Sequence, residues 1–214
     1  MAVLLPGNGV PLRRPPRRAR GSVMIEMALM VSVAVPILLG VTGLGVRLGR
    51  TLAGLQLTRD VAHMYALGTD FSLPGTQAIA RTLSRDFSLT AGGTGVLVLS
   101  RVVRVYQTDC NAAGVPTCPN LNQTVFAQRL VIGNAGLRAS AFGTPPGSYI
   151  DAEGNISSAN YCKQPSLIAH GFDAVLTLAQ GQSAYVTEGY FSMPEISLAY
   201  LGSPGGGYYV RLLL

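Results

Sequence analysis

Between Met27 and Val46 the chain runs for twenty residues without a charged side chain. Few arrangements in a protein of 214 residues can accommodate such a stretch, and a membrane is the simplest of them. As a helix from Val23 to Val46 it would reach ~36 Å at ~1.5 Å per residue, enough to cross a bilayer core. It is long for the apolar region of a cleaved secretory signal, and no Ala-x-Ala site follows it. A conventional signal cut after Gly40 or Gly45, where small residues occur, is the competing reading. Pro36 removes one backbone hydrogen bond in mid-span and is expected to kink the helix or loosen a turn. Gly40, Gly43 and Gly45 would permit close helix–helix approach in lipid.

The charges divide the chain into unlike parts. Arg13, Arg14, Arg17, Arg18 and Arg20 all precede Gly21, interleaved with Pro15 and Pro16. Without those five, the 16 basic and 10 acidic residues become 11 and 10, and the formal charge falls from +6 to +1. Basic residues before the span, set against Arg47 and Arg50 just after it, predict a cytoplasmic N-terminus and an exported C-terminus. The arginines stop where the apolar run begins and no second basic patch appears, so no nucleic-acid partner is expected.

Glu26 sits at the mouth of this helix. A carboxylate there is costly to bury and is rarely placed without a partner or a task. It also suits the positive end of the helix dipole, which alone would account for an interfacial acid without an assembly role. Gly21, followed at the fifth position by Glu26 and then a long apolar helix, resembles the processing site of type IV prepilins. The run from Arg20 to Leu29 is most similar to TadE and TadG proteins, the pseudopilins of tight-adherence (Flp-type) pilus systems. Met27 stands where that family usually has an aromatic. The segment Gly181 to Phe191 is similar to the late strand of TadE-like proteins.

The resemblance implies a leader, residues 1–21, cut between Gly21 and Ser22 by a membrane-embedded prepilin peptidase. Glu26 would then neutralise the N-terminal ammonium of a neighbouring subunit, as a device for register rather than for raw stability. It further implies a non-enzymatic minor pilin or pseudopilin of the bacterial inner membrane, single-pass. Its partners would be membrane lipid, the peptidase, other pilins or pseudopilins and inner-membrane pilus assembly proteins. Two readings from other classes compete. One is an uncleaved, signal-anchored exported domain that binds a ligand or protein partner through its loops; the other is an exported enzyme released by ordinary signal cleavage.

The helix is expected to continue beyond the membrane. Leu48, Leu52, Leu55, Leu57, Val61, Met64 and Tyr65 keep helical spacing, and Gly68 suits the position just past its end. Residues 22–68 thus form one long helix, membrane-spanning over 23–46; Ser22 to Leu67 alone would measure ~69 Å. Residues 69–214 make an exported α+β domain with a pilin-like order of elements. It begins with a short amphipathic helix over Thr76–Phe87. Strands follow over Val96–Leu99, Val102–Tyr106, Val125–Ile132, Ala174–Leu178, Ala184–Phe191 and Tyr208–Leu214. They predict an antiparallel sheet packed on the long helix.

Chemistry-bearing residues are sparse. His63 falls on the outer helix and His170 in a loop, and neither Gly-x-Ser-x-Gly nor His-Glu-x-x-His occurs, so no catalytic residue is assigned. Asp151 to Asn155 has its glycine too early for an EF-hand and reads as a hairpin turn. No metal or cofactor is expected, since the chain has only two histidines and no Cys-x-x-Cys. Cys110 and Cys118 bracket a short loop whose closure as a disulfide would contribute roughly 2–3 kcal/mol. Cys162 is left over and could instead pair with either.

Overall fold

A computed structural model describes residues 19–193 and 206–214, with side chains from Val23 onward. The arginines Arg13, Arg14, Arg17 and Arg18 of the basic leader lie outside the described residues. Contacts divide the chain into two units, one ending at Gly45 and the other running from Val46 to Leu214.

Helix α1 (Ala19–Ala66) carries through Pro36 without a break in its helical assignment. In the first unit its apolar side chains point outward all round: Met24 is 79 % exposed and Leu38 is 67 % exposed. A helix apolar on every side needs lipid or another apolar surface around it. Its few hydroxyls are compatible with lipid, because Ser32 donates to the Leu29 carbonyl and Thr42 to the Leu38 carbonyl within the same helix. Among the described residues, α1 is the one helix long and apolar enough to cross a membrane.

The second unit is α+β. The last turns of α1 bury Leu57, Val61 and Tyr65. The helix ends as expected at Gly68, whose φ of 88° only glycine adopts at little cost. There the Thr69 N–H donates to the Met64 carbonyl and the Gly68 N–H to the Tyr65 carbonyl, a Schellman end. Helix α2 (Pro74–Leu83) follows, with proline in its first turn, where no amide donor is needed. It is shorter than the expected Thr76–Phe87. Ser84 turns its hydroxyl back to the Arg81 carbonyl, and the chain leaves the helix so that Phe87 can enter the core.

Strands β1 (Gly95–Arg104), β2 (Thr124–Gly133), β3 (Ser183–Ser192) and β4 (Gly207–Leu213) form one sheet in the order β2-β1-β3-β4. Every pairing is antiparallel. The two strands expected over 96–99 and 102–106 are a single strand with a bulge in its pairing to β2 at Arg101/Val102. One face, with Leu97, Leu99 and Phe191, packs on Leu57, Val61 and Tyr65 of α1 and on Ala80 of α2. Fully burying such a side chain contributes about 1.5–3 kcal/mol, so the outer part of α1 is core to this unit.

The long segment between β2 and β3 covers the opposite face. Its Phe142, Ile156, Leu167, Phe172 and Leu178 meet Val102, Phe126, Ala184 and Val186. The strand expected over Ala174–Leu178 is absent. Val175 and Leu176 both donate their amides to the Phe172 carbonyl, at 2.8 and 3.0 Å, so the backbone turns there instead of pairing. Val175 is 47 % exposed and Leu176 is 43 % exposed, and neither packs in the core. Two short helices that the sequence did not announce, α3 (Gln107–Ala112) and α4 (Ser158–Lys163), lie in the connections.

Candidate functional site

The residues singled out for processing and assembly lie at the start of α1. That helix includes Gly21 and Ser22. Glycine disfavours helix by about 1 kcal/mol relative to alanine, so Gly21 lowers the cost of unwinding the backbone beside Ser22. Ser22 and Glu26 are four residues apart and share a helix face. Glu26 is exposed. The glycines Gly40, Gly43 and Gly45 have no atom within 4 Å of where a Cβ would stand, which leaves that surface open for another helix or for lipid.

The cysteines form the second group. Cys110 and Cys118 are joined by a disulfide with Cα atoms 6.0 Å apart. Cys110 belongs to α3, where a loop was expected. That helix starts because Asp109 accepts the Tyr106 amide at 2.8 Å. Cys162 is free and buried on α4, and burial, helped by the Asp109 charge, pushes its thiol pKa up. All three sulfurs lie within 4.8 Å of one another. A metal would need thiolates from this group, and the disulfide leaves it one thiol.

His63 and His170 are both exposed. Asp151 forms a turn as expected, its side chain accepting the amides of Glu153 and Asn155 at 3.1 and 2.6 Å.

A polar cluster that the sequence reading did not single out lies on the sheet face away from α1. Glu188 is 2 % exposed and accepts from the Ala141 amide at 2.9 Å and from the Tyr209 hydroxyl through the same oxygen, Oε1. Its other oxygen, Oε2, is buried with no hydrogen-bond partner. Beside it is a void of about 10 Å³, the size of one water molecule, bounded by Arg138, Ser140, Tyr190 and Tyr209. Arg129, also buried, donates to Ser100 Oγ and to the Gly143 carbonyl. Burial lowers the Arg129 pKa to about 10, against the opposing pull of the Glu188 charge, so it remains a cation at neutral pH. The available signal was a carboxylate on a core-facing position of an alternating strand. The cluster fastens the Ala141–Gly143 part of the covering segment to the sheet.

Comparison with protein-family models, curated proteins and solved structures finds no match for this chain.

Proposed function

We propose that the chain is a TadE-like minor pilin or pseudopilin that takes part in assembling a tight-adherence type IV pilus. It is a substrate of a prepilin peptidase and not itself a catalyst. The observation that carries this reading is the spacing of Gly21, Ser22 and Glu26 at the head of an apolar helix exposed on every side. The α+β unit built around the outer turns of that helix is in keeping with it.

In this reading the arginine leader stays in the cytoplasm, and the basic residues before the span set its orientation in the bacterial inner membrane. The domain from Val46 onward is exported, a location that suits a disulfide. Cutting after Gly21 frees the amine of Ser22, and Glu26 of one subunit meets the amine of another. In lipid that pairing offsets the cost of placing both charges there, and it selects one axial register between neighbouring helices. N-terminal sequencing of the membrane-associated protein tests the proposal. Ser22 as the first residue is the expected result, whereas an intact arginine leader would favour a signal-anchored domain.

A further inference from the structure

We propose that Cys110, Cys118 and Cys162 form an intramolecular thiol–disulfide exchange site with two native pairings, Cys110–Cys118 and Cys110–Cys162. Three observations meet here. All three sulfurs lie within 4.8 Å of one another, so the free thiol of Cys162 stands beside the disulfide and no chain rearrangement is needed to bring it there. The Cys118 sulfur, 3.5 Å from the Cys162 carbonyl, already touches the backbone of α4. The solvent exposure of the three is unequal: Cys110 and Cys162 are fully buried, while Cys118 is half-buried.

The direction of exchange follows from that inequality. Exchange goes through attack of a thiolate on one disulfide sulfur, and it runs faster when the departing sulfur is the better stabilised thiolate. Of the two that could leave, Cys118 is the half-buried residue and Cys110 the fully buried one, so the charge is better solvated on Cys118. Cys162 Sγ therefore attacks Cys110 Sγ. A new S–S bond forms between Cys110 and Cys162 as the Cys110–Cys118 bond breaks, and Cys118 leaves with the electron pair. The proton lost by Cys162 is balanced by the proton that Cys118 takes up. No external oxidant or reductant is consumed.

The consequence is topological. The Cys110–Cys118 pairing closes a local loop with a sequence separation of 8. The Cys110–Cys162 pairing instead ties α3 to α4, and so ties the β1–β2 connection to the segment that covers the sheet. It also moves the one free thiol of the chain from an interior position to Cys118, where it can meet a reagent or another thiol. Burial and the Asp109 charge keep the Cys162 thiol protonated, which makes the exchange slow at neutral pH and faster as pH rises.

Timed alkylation of the full-length protein in detergent, without reductant, tests this. The protein is held natively with N-ethylmaleimide at pH 7 and pH 9, then denatured in a mass-distinct maleimide and mapped by peptide mass spectrometry. The expected result is native labelling of Cys118, together with a Cys110–Cys162 linked peptide, both accumulating at least several-fold faster at pH 9. Labelling of Cys118 should vanish in Cys162→Ser and equally in Cys162→Ala. Wild-type mapping reads the outcome even if both variants fold poorly. Recovery of Cys110–Cys118 as the sole linkage would overturn the proposal, whether Cys162 is labelled natively or only after denaturation.

Discussion

Tyr208, in the last strand, donates its hydroxyl to the Arg50 carbonyl of α1 at 3.1 Å, across 158 residues of sequence. The same oxygen lies 1.5 Å from where a Cβ on Gly54 would stand, so the contact exists because position 54 carries no side chain. The Tyr208 ring also packs at 5.3 Å on Phe191 and at 6.1 Å on Phe87, which leaves it little room to retreat. The C-terminal strand is thereby bound to the turns of the helix just beyond its apolar span.

Gly54→Ala should consequently destabilise the domain. Overpacking costs about 1–3 kcal/mol, offset in part by about 0.5–1 kcal/mol from replacing a mid-helix glycine. The net loss should lower Tm by a few degrees in detergent, followed by circular dichroism. In a Tyr208→Phe background the penalty should shrink without vanishing, because the ring carbon beneath the hydroxyl still lies 2.6 Å from the new Cβ. A higher Tm for Gly54→Ala alone would mean that the ring moves aside freely.

Glu188 should matter to stability out of proportion to its exposure. Glu188→Ala leaves the Tyr209 hydroxyl and the Ala141 amide without their acceptor, at a cost of about 2–4 kcal/mol. Glu188→Gln keeps an acceptor oxygen and should cost roughly half as much. Limited proteolysis provides the readout: loss of Glu188 should expose the chain near Ala141 to cleavage before the sheet itself opens. Uniform protection in Glu188→Ala would show that the covering segment is held by its apolar contacts alone.

Alkaline pH should unfold the domain by a route that follows from its tyrosines. Burial, foremost, pushes the phenol pKa values of Tyr65, Tyr208 and Tyr209 well above their ordinary value of 10.0. The native state thus holds these protons more tightly than the unfolded chain does. Their contribution is fully present below about pH 10 and is lost as pH climbs above that value. Arg129, whose pKa burial lowers to about 10, acts in the opposite sense. Of the nine tyrosines, these three and Tyr161, whose pKa burial also raises, should ionise together with the loss of near-ultraviolet dichroism, monitored by phenolate absorbance. Tyr209→Phe should flatten the decline in stability above pH 10; an unchanged decline would count against the buried phenols as its cause.

The strands were legible where a period of two fell among β-branched and aromatic residues, as over Val125 to Ile132 and Ala184 to Phe191, although both faces of the sheet are covered. Ala174 to Leu178 carries the same alternation yet turns, since Phe172 and Leu178 reach the core from a folded backbone while Val175 and Leu176 face outward. Periodicity cannot distinguish an apolar residue that is buried from one that is merely present. The spacing of Cys110 and Cys118 suggested their pairing but left Cys162 open to either partner. The nearness of Cys162 was not legible, because it depends on α4 packing beside α3 across a long irregular segment. Ser157 capping α4, its hydroxyl accepting the Asn160 amide, was the available local clue.

The processing reading makes a demand on Gly21 that a simple anchor does not. Gly21→Ala adds a Cβ that a closely fitted peptidase site must accommodate. It also favours helix at position 21 by about 1 kcal/mol, so the bond to Ser22 is harder to unwind. Both effects slow leader removal, and the precursor should accumulate, visible as a band larger by the mass of residues 1–21 on a gel. Glu26→Ala should behave differently. The carboxylate lies beyond the cut bond, so the leader should still be removed, while subunits lacking the charge lose the partner for the Ser22 amine and pili become sparse. Glu26→Gln, which keeps the shape and loses the charge, should resemble Glu26→Ala in piliation. If it instead restores normal pili, a hydrogen bond at position 26 is sufficient and charge pairing is not what sets the register.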